Sequence, residues 1–125
     1  MKFHGNRPIF QQIIEDLEEQ IIRGRLAPEE RIPAIRDYAL AVEVNPNTVV
    51  RSFLALEEAG IIFKRRGLGF FVSPGARGKI LARRRCDFVD SHLPETVRTM
   101  RLLDVGIDVL VDLYNRSARE ETGAS

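Results

Sequence analysis

The chain has 125 residues and a mass of 14.2 kDa, which suits one domain or a small domain with an appendage. Its lone cysteine, Cys86, excludes an internal disulfide and favours a reducing compartment. The formal net charge of +1 points to no particular partner. The chain contains neither an apolar leader nor a run of about 18 apolar residues that would span a membrane. We therefore expect a cytoplasmic protein.

The first part of the chain predicts a long helix and then a shorter one. Pro8 suits the first position of a helix, and Gly24 suits the position just past its end. Between them, apolar residues recur at three- and four-residue spacing and form one face. The members of that face are Phe10, Ile13, Ile14, Leu17 and Ile21. A second helix is predicted over residues 34–42.

The clearest local signal marks the start of a third helix. Asn45 is a favoured N-cap residue, and Pro46 fits the first helical position behind it. Gly60 provides the stop. Because the second and third helices are joined by a turn of only a few residues, we predict a helix-turn-helix unit.

Two short β-prone runs, rich in isoleucine, phenylalanine and valine, come next. They flank a turn that contains two glycines, which predicts a hairpin with Arg65 and Arg66 near its tip. The Ser-Pro-Gly sequence at 73–75 then breaks the pattern. We therefore expect one domain over residues 1–75 and a second segment over residues 76–125.

Basic residues are concentrated between Lys64 and Arg85, in a stretch that no acidic residue interrupts. A local basic run on a nearly neutral chain suits a face that binds a polyanion. The alternative is an ordinary solvated surface.

The second segment shows helical patterns without a strand signal, and Pro94 is predicted to kink or end its first helix. An apolar stripe runs along it at three- and four-residue spacing. The residues of this stripe are Ala82, Cys86, Val89, Leu93, Val97, Met100, Leu110 and Leu113. A tail of two helices cannot bury such a stripe alone, so we expect it to pair with the same tail of a second chain.

Several motifs, in a fixed order, resemble the GntR-type bacterial transcriptional regulators. They read PIFQQI at 8–13, RIPAIR at 31–36, VNPNTV at 44–49, LEEAGI at 56–61 and RRGLGFFV at 65–72. The Asn-Pro-Asn-Thr turn and the short helical tail resemble the YtrA-like subgroup. The resemblance implies an α+β fold, in which a winged helix-turn-helix of three helices and a two-stranded wing precedes a two-helix, all-α dimerisation tail. It also implies a repressor that binds a palindromic operator as a homodimer.

The recognition helix and the wing contain the predicted contacts to double-stranded DNA. In a helix-turn-helix the N-terminal residues of the second helix reach base edges, where asparagine pairs with adenine and arginine with guanine. Here these residues are Asn45, Asn47, Thr48 and Arg51. The resemblance adds Arg36 and the wing residues Arg65, Arg66 and Gly67. Pro46 and Val50 stand where other subgroups carry DNA-reading arginines, so their operators are not transferable.

Other functions remain open at this point. The winged helix could serve as a protein-interaction module without sequence-specific DNA binding. An enzyme is disfavoured, because no catalytic constellation occurs at useful spacing. We expect no cofactor and no metal, since His92 has only the distant His4 as a second histidine. Cys86 is predicted to be a small apolar residue rather than a redox sensor. Release from DNA by a small-molecule effector stays open.

Overall fold

The computed structural model describes residues 5–123 and confirms the α+β class. The elements are α1 (Ile9–Ile22), α2 (Ile35–Val42), α3 (Pro46–Glu58), β1 (Ile62–Arg65), β2 (Gly69–Val72), α4 (Ala76–Asp87), a π-helical turn (Phe88–His92), α5 (Leu93–Leu102) and α6 (Ile107–Gly123). The three helices and two-stranded wing of the winged helix-turn-helix thus form as predicted. The chain divides into two compact units after Arg84.

The core of the first unit forms where α1, α2, α3 and the hairpin meet. Phe53 of α3 is fully buried, and the edge-to-face rings of Tyr38 and Phe70 lie with their centres 6.2 and 5.4 Å from its own. Ile13 and Leu17 contribute the apolar face that was predicted for α1. Burial of these side chains stabilises the unit by the hydrophobic effect, about 25 cal/mol for each Å² of apolar surface.

A hydrogen bond fastens α2 to α1. The Tyr38 hydroxyl donates to Asp16 Oδ2 over 2.6 Å, and Gln20 Nε2 donates to the same oxygen over 3.0 Å. Burial, together with the hydrogen bond and negative charge of Asp16, raises the pKa of Tyr38 far above its ordinary value. The phenol therefore stays protonated and remains a donor to Asp16.

One edge of the wing pairs with the segment between α1 and α2. In the hairpin, Ile62 pairs with Val72 and Arg65 with Gly69. Glu29 N–H donates to Val72 C=O over 2.8 Å, and Arg31 forms a bridge to Phe71. This extra edge fixes the base of the wing to the first unit.

Some arginines of the basic run that was predicted to bind a polyanion form hydrogen bonds and ion pairs within the protein instead. Glu18 of α1 is only 1% exposed, and its carboxylate accepts from Arg83 Nη2 over 2.6 and 2.7 Å and from Arg84 Nη2 over 3.1 Å. Arg84 also donates to the Glu15 carbonyl over 3.0 Å, and Arg77 Nε donates to the Ile22 carbonyl over 2.9 Å. These arginines therefore join α4 to α1, because a buried carboxylate requires charged partners.

The second unit is helical, and Pro94 does not end its first helix. Pro94 lies in the first turn of α5, directly after the π-helical turn. A proline lacks the amide donor and its ring crowds the carbonyl four residues earlier, so the wider turn accommodates it. Within residues 5–123, no helix is both long and apolar enough to span a membrane.

Candidate nucleic-acid interface

The N-terminus of α3 is built by its cap. Asn45 Oδ1 accepts a hydrogen bond from Asn47 N–H over 2.8 Å, and Pro46 occupies the first turn, as predicted. The cap satisfies one of the amide donors that a helix start leaves unpaired. It uses the oxygen of the Asn45 side chain, so the amide NH₂ group at the exposed end of α3 is available to a ligand.

The two faces of α3 are clearly separated. Val49, Phe53 and Leu56 are buried at three- and four-residue spacing, whereas Asn47 and Arg51 are exposed and four residues apart. Thr48 is half-buried beside them. Side chains three and four residues apart share one face of a helix, so these polar groups form a single patch at the start of α3.

Arg51 makes a contact that the sequence did not predict. Its guanidinium carbon lies 3.7 Å from the centre of the Phe10 ring. Phe10 had been assigned to the apolar face of α1, but it is only half-buried. The signal for this contact is weak in the sequence, because the two residues lie far apart in the chain.

The remaining predicted cations are exposed. Arg36 lies in the first turn of α2, and Arg66 lies at the wing tip. Arg65 contacts other side chains: its guanidinium lies 5.0 Å from the Phe71 ring centre and 3.9 Å from Glu29 Oε1. Gly67 has a φ of +77°, a backbone conformation in which any residue with a side chain would be strained. The tip therefore combines a tight turn with two arginines.

The predicted dimerisation stripe is open to solvent in the single chain. Leu110 and Leu113 of α6 are 36% and 50% exposed, and Val97 is 45% exposed. Ala82, Cys86 and Val89 are also exposed, while Leu93 and Met100 are half-buried. Within unit two, every residue from Arg101 to Glu121 is exposed, so α6 has no apolar cover of its own.

A crevice of about 500 Å³ lies at the turn between α5 and α6. Val97, Met100 and Leu110 line it, together with polar groups of the turn. Over residues 5–123, no three His, Cys, Asp or Glu side chains gather in a group suited to a metal ion. His4 lies outside the described residues.

Comparison with known proteins assigns the chain to a family. Residues 9–72, just over half of the chain, match the family model of the bacterial regulatory proteins, gntR family. The chain belongs to the GntR family. Its members are transcriptional regulators, a non-enzymatic class.

Two GntR-family relatives from Bacillus subtilis (strain 168) support the resemblance to the YtrA-like subgroup. The HTH-type transcriptional repressor YtrA is 37% identical over 73 residues, which are 58% of this chain and 56% of YtrA. The uncharacterized HTH-type transcriptional regulator YhcF is 35% identical over 75 residues, 60% of this chain and 62% of YhcF. The chain thus matches less than two thirds of the length of these relatives.

A solved structure extends the likeness into the tail. A GntR-family regulator from Bacteroides thetaiotaomicron is 31% identical and has a TM-score of 0.71. The match covers 91% of this chain and 99% of that one. The helical tail therefore belongs to the shared architecture.

The cap gives this GntR-family protein a first testable property. Asn45→Ala removes the acceptor for Asn47 N–H and should lower the free energy of unfolding by about 1 kcal/mol. Asn45→Asp keeps the acceptor and should retain the stability, measured by urea denaturation. If Asn45→Ala unfolds at the same urea concentration as the wild type, the side chain does not stabilise the start of α3.

Proposed function

We propose that this GntR-family protein represses transcription in the bacterial cytoplasm by binding a palindromic operator as a homodimer. The observation that carries the proposal is the start of α3, where a capped helix end presents a polar patch of exposed Asn47 and Arg51 and half-buried Thr48. This is the part of a helix-turn-helix that enters the major groove. YtrA, a relative named as a repressor, supports repression as the sign of regulation.

The chemistry of the patch fits base recognition. The amide of Asn47 can donate to and accept from an adenine edge, and the guanidinium of Arg51 can donate two hydrogen bonds to guanine. Thr48 offers a hydroxyl to a base or a phosphate. The amide of Asn45 and the positive end of the α3 dipole favour a phosphate beside the groove.

Arg36 and the wing would supply contacts outside the major groove. Arg36 is exposed at the start of α2, where the helix dipole adds to its attraction for phosphate. Arg65 and Arg66 directly precede Gly67 in the tight turn, which lets the wing backbone approach DNA closely. These contacts would position the protein on the DNA rather than read the base sequence.

The tail supports a homodimer. Helix α6 exposes a run of large apolar side chains over its first half, residues 107–114. Most of the stability of a helix in a protein comes from packing of its apolar face, so this apolar part of α6 requires a packing partner. A second copy offers the same stripe, and a two-fold pair would present two α3 helices to a palindromic site.

The crevice at the α5–α6 turn fits the same arrangement. Val97, Met100 and Leu110 belong both to its lining and to the dimerisation stripe. We therefore assign it to side chains of the second copy rather than to a small molecule. Release by an effector remains part of the proposal, without an assigned site.

Selection from sheared genomic DNA at near-physiological salt tests this function. Purified protein should enrich fragments with a short inverted repeat, whose half-sites lie about one helical turn apart. The logarithm of the binding constant should fall with the logarithm of salt concentration with a slope of about −0.9 per neutralised phosphate.

The double variant Asn47→Ala, Thr48→Ala is the matched control, because it changes only exposed and half-buried polar groups. It should retain fragments weakly and without the inverted repeat. Retention of all fragments alike by the wild type would contradict sequence-specific recognition. No retention would favour the alternative, a winged helix that binds another protein.

A further inference from the structure

Arg51 lies closer to an aromatic ring than the other proposed DNA-contacting cations do. Its guanidinium carbon lies 3.7 Å from the centre of the Phe10 ring, well inside the distance of about 6 Å for a cation–π contact. For Arg65, the shortest such distance is 5.0 Å. No aromatic ring lies under Arg36 among the described residues.

The backbone that carries the Phe10 ring is tied to α3. Ser52 is fully buried, and its hydroxyl contacts the Phe10 carbonyl over 2.8 Å and the Thr48 carbonyl over 3.2 Å. Ser52 directly follows Arg51 in the helix. The start of α1, which contains Phe10, is therefore tied to the turn of α3 that contains Thr48 and Arg51.

The stack occupies one face of the guanidinium and leaves its edges open. The five N–H donors of arginine point outward in the plane of the group. Among the described residues, Arg51 forms no hydrogen bond and no ion pair, and its side chain is exposed. A stacked guanidinium has lost orientational freedom before a ligand arrives, which favours bidentate binding.

We propose that Phe10 is a positioning residue for base recognition. Its ring orients Arg51 so that the guanidinium edge can pair with guanine in the major groove. This inference rests on the proposed function. It predicts that discrimination at one base position depends on an aromatic side chain at position 10, which itself touches no base.

The test compares Phe10→Leu, Phe10→Tyr and Arg51→Ala on the selected operator and on duplexes with each base pair replaced in turn. Arg51→Ala identifies the position that Arg51 reads. Phe10→Leu should reduce discrimination at that position about 3- to 10-fold and leave the other positions unchanged. Phe10→Tyr keeps the ring and should restore discrimination. In the Arg51→Ala background, Phe10→Leu should have no further effect at that position.

Controls separate positioning from packing. Ile9→Ala alters the neighbouring exposed apolar residue and should leave discrimination unchanged. Thermal unfolding verifies that each variant is folded, and Phe10→Met replaces Phe10→Leu if the latter is not.

Equal weakening on all duplexes, or full discrimination by Phe10→Leu, would overturn the role of Phe10 while the proposed function stands. If the wild type itself discriminates at no position, the proposed function fails and this inference fails with it.

Discussion

Replacing Leu110 and Leu113 together with aspartate is expected to convert the protein into a monomer and to weaken operator binding about 10²- to 10⁴-fold. Both leucines lie on α6, three residues apart, and both are exposed in the single chain. In a dimer the new carboxylates would be buried without charged partners, which opposes association. Each monomer would then bind one half-site on its own, without a partner subunit that holds it near the DNA.

Sedimentation velocity measures the oligomeric state, and fluorescence anisotropy with a labelled operator measures affinity. Asn115→Asp is the matched control, because it adds a carboxylate to the opposite side of α6. The control should remain dimeric and bind as the wild type does. If the double leucine variant stays dimeric, the partner surface lies elsewhere on the chain.

Removing the arginines that pair with Glu18 is expected to have the largest effect on stability. The double variant Arg83→Ala, Arg84→Ala leaves a carboxylate that is 1% exposed without its partners. Breaking a fully buried ion pair from one side costs about 3–5 kcal/mol, and because the two arginines are 47% and 34% exposed, we expect a loss at or below the lower end of that range. Urea denaturation, monitored by circular dichroism, measures the free energy of unfolding.

Glu18→Leu should cost clearly less than the double arginine variant. The Arg83 and Arg84 side chains are 47% and 34% exposed, so water can solvate them once the carboxylate is gone. Leucine also has a volume similar to that of glutamate and needs no charged partner when it is buried. Arg85→Ala is the control for loss of a neighbouring positive charge. A greater loss for Glu18→Leu than for the arginine pair would contradict this account.

Local signals in the sequence predicted much of the fold. Asn45 and Pro46 fixed the start of α3, because capping and proline placement depend on adjacent residues alone. Gly60 has a φ of +77° just past the end of α3, where a glycine stop was predicted. The hairpin followed from its two β-prone runs and glycine-containing turn.

The contacts that the sequence did not predict join residues far apart in the chain. Glu18 and Arg83 are 65 residues apart, and neither position has a local pattern that distinguishes it from a solvated charge. The bridge from Arg31 to Phe71 is formed by a segment between two prolines that lacks a β signal. Such pairs emerge only when tertiary packing brings the elements together.

In the candidate site, too, the residue types were predicted from the sequence, whereas a contact between distant residues was not. The residue types at the start of α3 indicated base recognition, and the family resemblance supplied Arg36 and the wing. The stack of Arg51 on Phe10 was not predicted, because Phe10 also fits the apolar periodicity of α1. A sequence pattern does not distinguish an aromatic residue that packs at the edge of an apolar face from one that binds a cation there.

We propose that a dimer of this protein binds the two half-sites of one operator. The most direct measurement is a titration of the wild-type protein against the selected inverted repeat and against the same duplex with one half-site scrambled. We expect two protein chains bound per intact repeat, and an affinity at least about 100-fold lower for the scrambled duplex. Equal affinity for both duplexes, or one chain bound to the intact repeat, would contradict this proposal.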